Sequence, residues 1–448
     1  MKQFAINVIS LSLLLVFFGC GNNKQTTPVV DEPVARFSIE ELLDPTINPD
    51  ISIVNKKDVR AFYQSKDFTP VWSMQDSLLA EADSLIQFIY NSPFYGLFPD
   101  TYHAREIKAA LESKKADQLI ALDVLLTDSF ISLWEHLKYG RKNPAHAKDS
   151  LEDVPIENAI RENNVVRYLK SREPQNEEYK YLKAFLSGML HKREHDHVVV
   201  IADTIQTLFS NLERWRWDAP FPDRYIFVNV PSYTMKVIDK NENVLESKVI
   251  VGKPETPTHR ITSLIERFTI YPYWHIPRKI AVGEMLPVIQ KDTSYIRKNN
   301  LDVLDRNGNL LKPSQVKWKT FHEDYFPVIL RQREGADNSL GVIKFQFKNP
   351  YAIYLHDTNA KRLFREDYRA LSHGCVRVEK ARDLAYYLVQ DDSILCTPDD
   401  LTQYLEIKHR MDIDIVNPIS IFIRYFTAEA NADTLKIYED LYKMDGEN

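Results

Sequence analysis

The chain has 448 residues, of which 44 % are apolar and 11 % aromatic, and only 12 are glycine. This length and composition predict two or three well-packed domains and exclude low-complexity sequence. A net charge of −6 argues against nucleic acid as a partner.

The N-terminus reads as an export signal, with Lys2 as a positive start and an almost wholly apolar run from Phe4 to Phe18. The run is shorter than the ~20 residues that span a bilayer. It ends in Gly19-Cys20, which resembles a lipoprotein processing site, so lipidation of Cys20 is expected; an ordinary cleaved signal and an uncleaved anchor are the alternatives. Residues 1–19 are then a signal peptide and 20–36 a lipidated tether, with Gly21 to Pro33 polar and flexible. The mature body keeps Cys375 and Cys396, which is no disulfide framework. No other segment is long and apolar enough to cross a membrane.

From about Phe37 to Arg193 the pattern is helical. Leu122, Leu125, Leu126, Leu133 and Leu137 share one face, and Pro93, Gly96, Pro99 and Gly140 punctuate the helices. His191, His195 and His197 lack a metal-ligand spacing, since His195 and His197 point to different faces of a helix; they read as a solvated charged stretch. Near Asn211 the pattern changes. Asn211 to Trp217 closes a helix, and Tyr225 to Val230 alternates as a strand. Val237-Ile238, Val249 to Val251, Phe268 to Ile270 and Ile343 to Phe347 read as further strands between Pro, Asn and Gly turns. Between Ile280 and Leu340 the strand pattern breaks; Met285-Leu286 and Tyr295-Ile296 predict short helices, and Asp305 to Gly308 a turn. Ala381, Leu384, Ala385 and Leu388 then fall on one helical face.

The chemistry sits late in the chain. Ser372-His373-Gly374-Cys375-Val376-Arg377-Val378 follows Tyr354-Leu355-His356-Asp357-Thr358, with His356 and Cys375 19 positions apart. A cysteine beside Gly and His, with a second His on another segment, is the raw material of a thiolate nucleophile and its base. A free thiol has a pKa of about 8.5, so it needs an imidazole to take its proton. Gly374 allows tight turning. Backbone N–H groups around His373, Gly374 and Cys375 are candidates for holding an oxyanion, and a helix N-terminus shortly after Cys375 is expected to favour a thiolate. Cys396, in Ser393-Ile394-Leu395-Cys396, reads instead as a buried hydrophobe. The surroundings of Cys375 offer no second cysteine for zinc.

The Ser372 to Val378 run and His356 together resemble the active-site signature of the L,D-transpeptidases, which cross-link peptidoglycan through an acyl-cysteine intermediate. Asn211 to Trp217, Val251-Gly252-Lys253 and Tyr273-Trp274-His275-Ile276-Pro277 resemble family landmarks in the family's order. Phe62-Tyr63, Pro70-Val71-Trp72, Tyr95 to Tyr102 and Tyr139-Gly140-Arg141 resemble the helical scaffold of the larger periplasmic members. The implied fold is α+β: a helical scaffold domain over 37–210, then a mainly β catalytic domain over 211–448 with a capping insertion at 280–340. The stretch from Tyr179 to Val200 is too short for the peptidoglycan-binding module that large relatives carry there, a domain of ~50 residues or more.

The resemblance implies roles. Cys375 attacks the carbonyl of meso-diaminopimelate in a donor tetrapeptide stem and D-Ala leaves. His356 is the base, and the backbone carbonyl of Asp357 orients its ring. Ser372, His373 and Gly374 shape the loop. Arg377 is a candidate for a substrate carboxylate, with a structural ion pair as the alternative, and Tyr354 and Trp274 are candidate groove walls. Carbapenems are the expected covalent inhibitors. No cofactor and no metal are expected. The partners are peptidoglycan stems and, through the N-terminal lipid, a membrane, on the periplasmic side of the envelope. Two other readings stay open: a carboxypeptidase or endopeptidase using the same Cys/His pair, and a non-catalytic wall-binding lipoprotein.

Overall fold

The computed structural model describes residues 38–445 apart from 45, 48–51, 75–76, 114–116, 144–153, 197–201 and 219. The signal, the tether, Cys20 and His197 lie outside the described residues. Among those described, no helix is long and apolar enough to cross a membrane, and no three His, Cys, Asp or Glu converge as a metal site.

The chain is α+β, helical first and mainly β afterwards. The helical region is organised on one long helix, Asp117–Tyr139. Leu122, Leu125, Leu126, Leu133 and Leu137 on it are all buried, in one core with Val59, Tyr63, Trp72 and Leu85. Two buried carboxylates on that helix tie irregular segments to it. Asp123 accepts from the Tyr63 hydroxyl, the Val71 and Trp72 N–H groups and Ser73 Oγ. Asp128 accepts from the Val54 and Asn55 N–H groups and pairs with His103 Nε2 at 2.6 Å. Leaving any of those buried donors unpaired would cost about 1–3 kcal/mol, which explains how the Ser65 to Trp72 stretch is held without regular structure.

Helix Ala202–Trp215 leads into the β region. Its last turn is the seam between the two halves. Asn211 Nδ2 donates to Thr427 Oγ1 and Asn211 Oδ1 accepts from the Ala428 N–H. Arg214 Nη1 reaches Asp445 Oδ1 at 2.7 Å, and Arg216 Nη2 turns back to Tyr95 O and Tyr179 Oη. Trp215 stacks on Phe426 with ring centroids 4.4 Å apart.

The β region is built on strands β1 (Arg224–Asn229), β2 (Thr234–Asp239), β3 (Glu242–Gly252), β4 (Ile261–Ile270), β5 (Ile343–Phe347), β6 (Leu355–His356), β7 (Ala370–Ser372), β8 (Val376–Val378) and β9 (Met411–Arg424). Their spatial order is β7-β3-β8-β6-β5-β4-β9-β1-β2, and β2 also pairs with β3, so the sheet closes on itself. The long strand β3 makes this possible: Glu242 to Lys248 pairs with β2, Val249 and Ile250 with β8, and Val251 and Gly252 with β7. Helix Ala381–Val389 buries Ala381, Leu384, Ala385 and Leu388 against the same core.

The stretch between β4 and β5 is not free of strands. Trp274–His275, Ile329–Gln332 and Leu301–Leu304 form a separate three-stranded sheet. Together with short helices from Arg278 to Lys298 it encloses its own core around Ile289, Leu301, Trp318, Phe326 and Leu330. The excursion thus starts at Trp274, because that residue pairs with Gln332 and not with the main sheet.

Candidate active site

Two very short strands assemble the site. Parallel pairing of β6 with β8 sets Leu355 against Val376 and His356 against Arg377. Leu355 and Val376 are fully buried and anchor the pair. The Val376 N–H donates to the Tyr354 carbonyl at 3.1 Å, which fixes Cys375, one residue earlier, beside Tyr354. Cys375, His356, Tyr354, Lys344, Arg377 and Trp274 all line one cavity of about 960 Å³, to which the insertion adds Ile280, Glu284 and Met285.

The loop before Cys375 is clamped through its own polar groups. Ser372 Oγ donates to the Cys375 carbonyl at 2.6 Å and accepts from the Gly374 N–H at 3.1 Å. The Gly374 N–H is therefore engaged within the loop, so that group is not available to an oxyanion. Thr258 Oγ1 donates to the Gly374 carbonyl at 2.8 Å. Gly374 has φ +108°, where a side chain is strained. His373 is exposed, and its Nε2 lies 2.6 Å from Glu284 Oε1 of the insertion. It joins the loop to the insertion and lines the cavity.

His356 is buried, and its Nδ1–H donates to the Asp357 carbonyl. Burial pushes its pKa down to about 3, helped by the positive charges of Arg377 and Lys344. The ring is thus neutral at physiological pH and able to accept a proton. Asp357 is held in turn: its Oδ2 accepts from the Val342 N–H at 3.0 Å, and its Oδ1 pairs with Lys361. Gly341, at φ +60°, makes room for that carboxylate; a Cβ there would lie 2.4 Å from Asp357 Oδ2.

Burial raises the Cys375 pKa, while hydrogen bonding from Tyr354 and the charges of Lys344 and Arg377 pull the other way. Burial thus shifts both Cys375 and His356 toward their uncharged forms. The helix expected just after Cys375 begins at Ala381, with β8 in between, so neighbouring cations and the Tyr354 hydroxyl take the part assigned to a helix end. Cys396 is buried with its pKa pushed up to about 11 by burial and nearby Asp400 and Asp392.

Arg377 makes no ion pair among the described residues, and its buried Nε has no hydrogen-bond partner. The structural ion pair considered for it is not there. Tyr354 reaches toward both Cys375 and Trp274 with its hydroxyl, and its ring stands 5.5 Å from that of His356. Lys344 was not singled out from the sequence. Its Nζ lies 4.0 Å over the Tyr354 ring, and burial lowers its pKa while Cys375 raises it. Alternation in β5 buries Ile343, Phe345 and Phe347 and turns Lys344 the other way. That reads as solvent in a sequence, but the cavity occupies that face.

Residues 223–396 match the family of L,D-transpeptidase catalytic domains, and residues 57–186 match the Scaffold domain family. The chain thus carries a region similar to L,D-transpeptidase catalytic domains behind a region similar to scaffold domains. A Haemophilus influenzae protein named "Putative L,D-transpeptidase" is 27 % identical to it over 394 residues, 86 % of this chain and 77 % of its own. Among solved structures, an L,D-transpeptidase from Mycobacterium smegmatis is 14 % identical, covering 45 % of this chain and 58 % of its own, with a TM-score of 0.21. The catalytic domain of the E. faecium L,D-transpeptidase, acylated by ertapenem, is 13 % identical, covering 38 % of this chain and 94 % of its own, with a TM-score of 0.20. Cys375 and His356 both fall inside the residues that match the catalytic-domain family.

Proposed function

We propose that the protein forms peptidoglycan cross-links through an acyl-cysteine intermediate on tetrapeptide stems. What supports this is the convergence of Cys375, His356, Tyr354, Lys344 and Arg377 on one cavity. The donor carbonyl of meso-diaminopimelate enters beside Cys375. With Nδ1 held by the Asp357 carbonyl, the other ring nitrogen of His356 takes the thiol proton as sulfur attacks. The negative charge that appears on oxygen is stabilised by neighbouring donors and cations. The tetrahedral intermediate collapses, the C–N bond breaks, and D-Ala leaves with the proton from His356. An acceptor amine then attacks the thioester, gives its proton to His356, and returns the sulfur. Arg377 and Lys344 suit a carboxylate of the stem, since neither has an ion-pair partner in the cavity.

Tetrapeptide muropeptides incubated with the protein should give cross-linked dimers and free D-Ala. Trimmed tripeptide monomers without dimers would make water the acceptor and the protein a hydrolase. Neither product would leave only a wall-binding role.

The proposed location is the cell envelope, with the protein held to a membrane by a lipid on Cys20. The apolar run before Gly19-Cys20 supports this. Cys20→Ser should move the protein from the membrane to the soluble fraction with its acylation rate unchanged. A wild-type N-terminus that starts after Cys20, or keeps Met1, rules the anchor out.

A further inference from the structure

The loop that carries Cys375 is held from behind by two residues outside the cavity. Neither Thr258 nor Tyr442 lines it, and Thr258 is buried. Thr258 Oγ1 accepts from the Gly252 N–H at 2.9 Å and donates to the Gly374 carbonyl at 2.8 Å. Tyr442 Oη brackets the same stretch. It accepts from the Thr258 N–H at 3.1 Å and donates to the Gly252 carbonyl at 2.7 Å. Both backbone polar groups of Gly252, at the end of β3, are thus tied to Thr258 and Tyr442. The turn needs glycine there, because a Cβ would lie 2.2 Å from the Thr256 carbonyl oxygen.

Tyr442 comes from the last segment of the chain, and its own place is fixed. Its N–H donates to Tyr425 Oη at 2.8 Å, and the two rings stack 5.2 Å apart. Tyr425 Oη in turn donates to Asp440 Oδ1 at 2.6 Å. Asp445 then takes the ion pair with Arg214 at the seam. Residues 440–445 therefore run from the seam to the back of the Cys375 loop.

The consequence lies in one peptide plane. The Gly374–Cys375 peptide is trans, and a trans peptide points its C=O and N–H in opposite directions. Thr258 draws the Gly374 carbonyl to the rear, so the Cys375 N–H faces the cavity side. That N–H has no hydrogen-bond partner among the described residues, whereas the Gly374 N–H is taken by Ser372 Oγ. A free backbone donor beside the sulfur suits the oxygen on which negative charge develops. We infer that Thr258 and Tyr442 are positioning residues for acyl transfer, which aim the Cys375 N–H at that oxygen. The inference rests on the acyl-cysteine chemistry proposed above. It gives the C-terminal segment a part in that chemistry, through Gly252, Thr258 and the Gly374 carbonyl, without any contact with substrate.

The test compares two reactions of Cys375 in the full chain. In acylation by a carbapenem, sulfur adds to the lactam carbonyl, the C–N bond opens, and the nitrogen takes the thiol proton. Negative charge passes through the carbonyl oxygen on the way. Iodoacetamide alkylates the same sulfur by displacing iodide from a saturated carbon, and no oxyanion forms. Loss of an oxyanion donor costs about 10²–10³-fold in rate, so Thr258→Val should slow acylation ~10²-fold and Tyr442→Phe, one bond further back, about tenfold. The loss should fall on the rate at saturation and not on the half-saturating concentration. Alkylation of Cys375, read by peptide mass, should keep its wild-type rate and pH dependence in both variants. Thr258→Ser keeps the hydroxyl and should acylate near the wild-type rate. Equal slowing of both reactions would make the two residues structural supports only and overturn the inference. So would wild-type acylation in both variants, or a Thr258→Ser variant as slow as Thr258→Val. A wild type that is alkylated but never acylated would bring down the proposed function, and this inference with it.

Discussion

A Cys375→Ala variant should lose dimer formation by a factor on the order of 10⁶, the scale seen when a covalent nucleophile is removed from a hydrolase. It should also take up no carbapenem, while the wild type gains one adduct by intact mass. The structure explains why the fold should survive. Cys375 is half-buried, and its Sγ interacts with Tyr354 and, at 3.9 Å, with the Ala352 carbonyl, neither of which is a packing contact of the core. The loop is held by Ser372 Oγ through the Cys375 and Gly374 backbones, which alanine leaves intact. The change in stability should therefore stay within about 1 kcal/mol. Cys396 is the internal control. It is buried, its pKa is pushed up to about 11, and its sulfur sits against the Thr397 carbonyl at 3.6 Å. An adduct on Cys396, or wild-type dimer yield from the alanine variant, would remove Cys375 as the nucleophile.

How far the sequence carried depends on element length. The Asp117–Tyr139 helix and β5 are long enough for their apolar period to be read; the leucines assigned to one face of the helix are buried, and Ile343 to Phe347 is a strand. β6, β7 and β8 hold two or three residues each. No period can be counted over so few, yet these strands set Cys375 beside Tyr354. β9 went unread for another reason: Asn417-Pro418 interrupts it, and the pairing with β4 slips between Asp414 and Ile419. The motif placed Cys375 and His356 on separate segments. It carried no information about Lys344, whose surroundings depend on the insertion and on β6. Nor could it indicate that burial shifts both the thiol and the imidazole toward their uncharged forms.

That electrostatic state gives the second large effect. His356→Ala should slow acylation by a lactam ~10²–10⁴-fold at neutral pH, and the pH profile should change shape. In the wild type the ring's pKa is depressed to about 3 from 6.5. It is already deprotonated well below neutrality, so no inflection near pH 6.5 should appear. Without the ring, attack depends on the small fraction of free thiolate. Burial raises the Cys375 pKa, so the variant's rate should climb about tenfold per pH unit through neutrality. Its deficit should be greatest in acid and shrink as pH rises. The same depression is a stability term. Below pH 6.5 the unfolded chain binds a proton that the buried ring does not, so this contribution is fully present above 6.5 and is lost as pH falls toward 3. His373→Ala is the comparison. That residue is exposed and bound to Glu284 at 2.6 Å, so its loss should leave the shape of the profile intact. A His356 variant with the wild-type profile, paired with a His373 variant that becomes steeply pH-dependent, would transfer the role of base to His373.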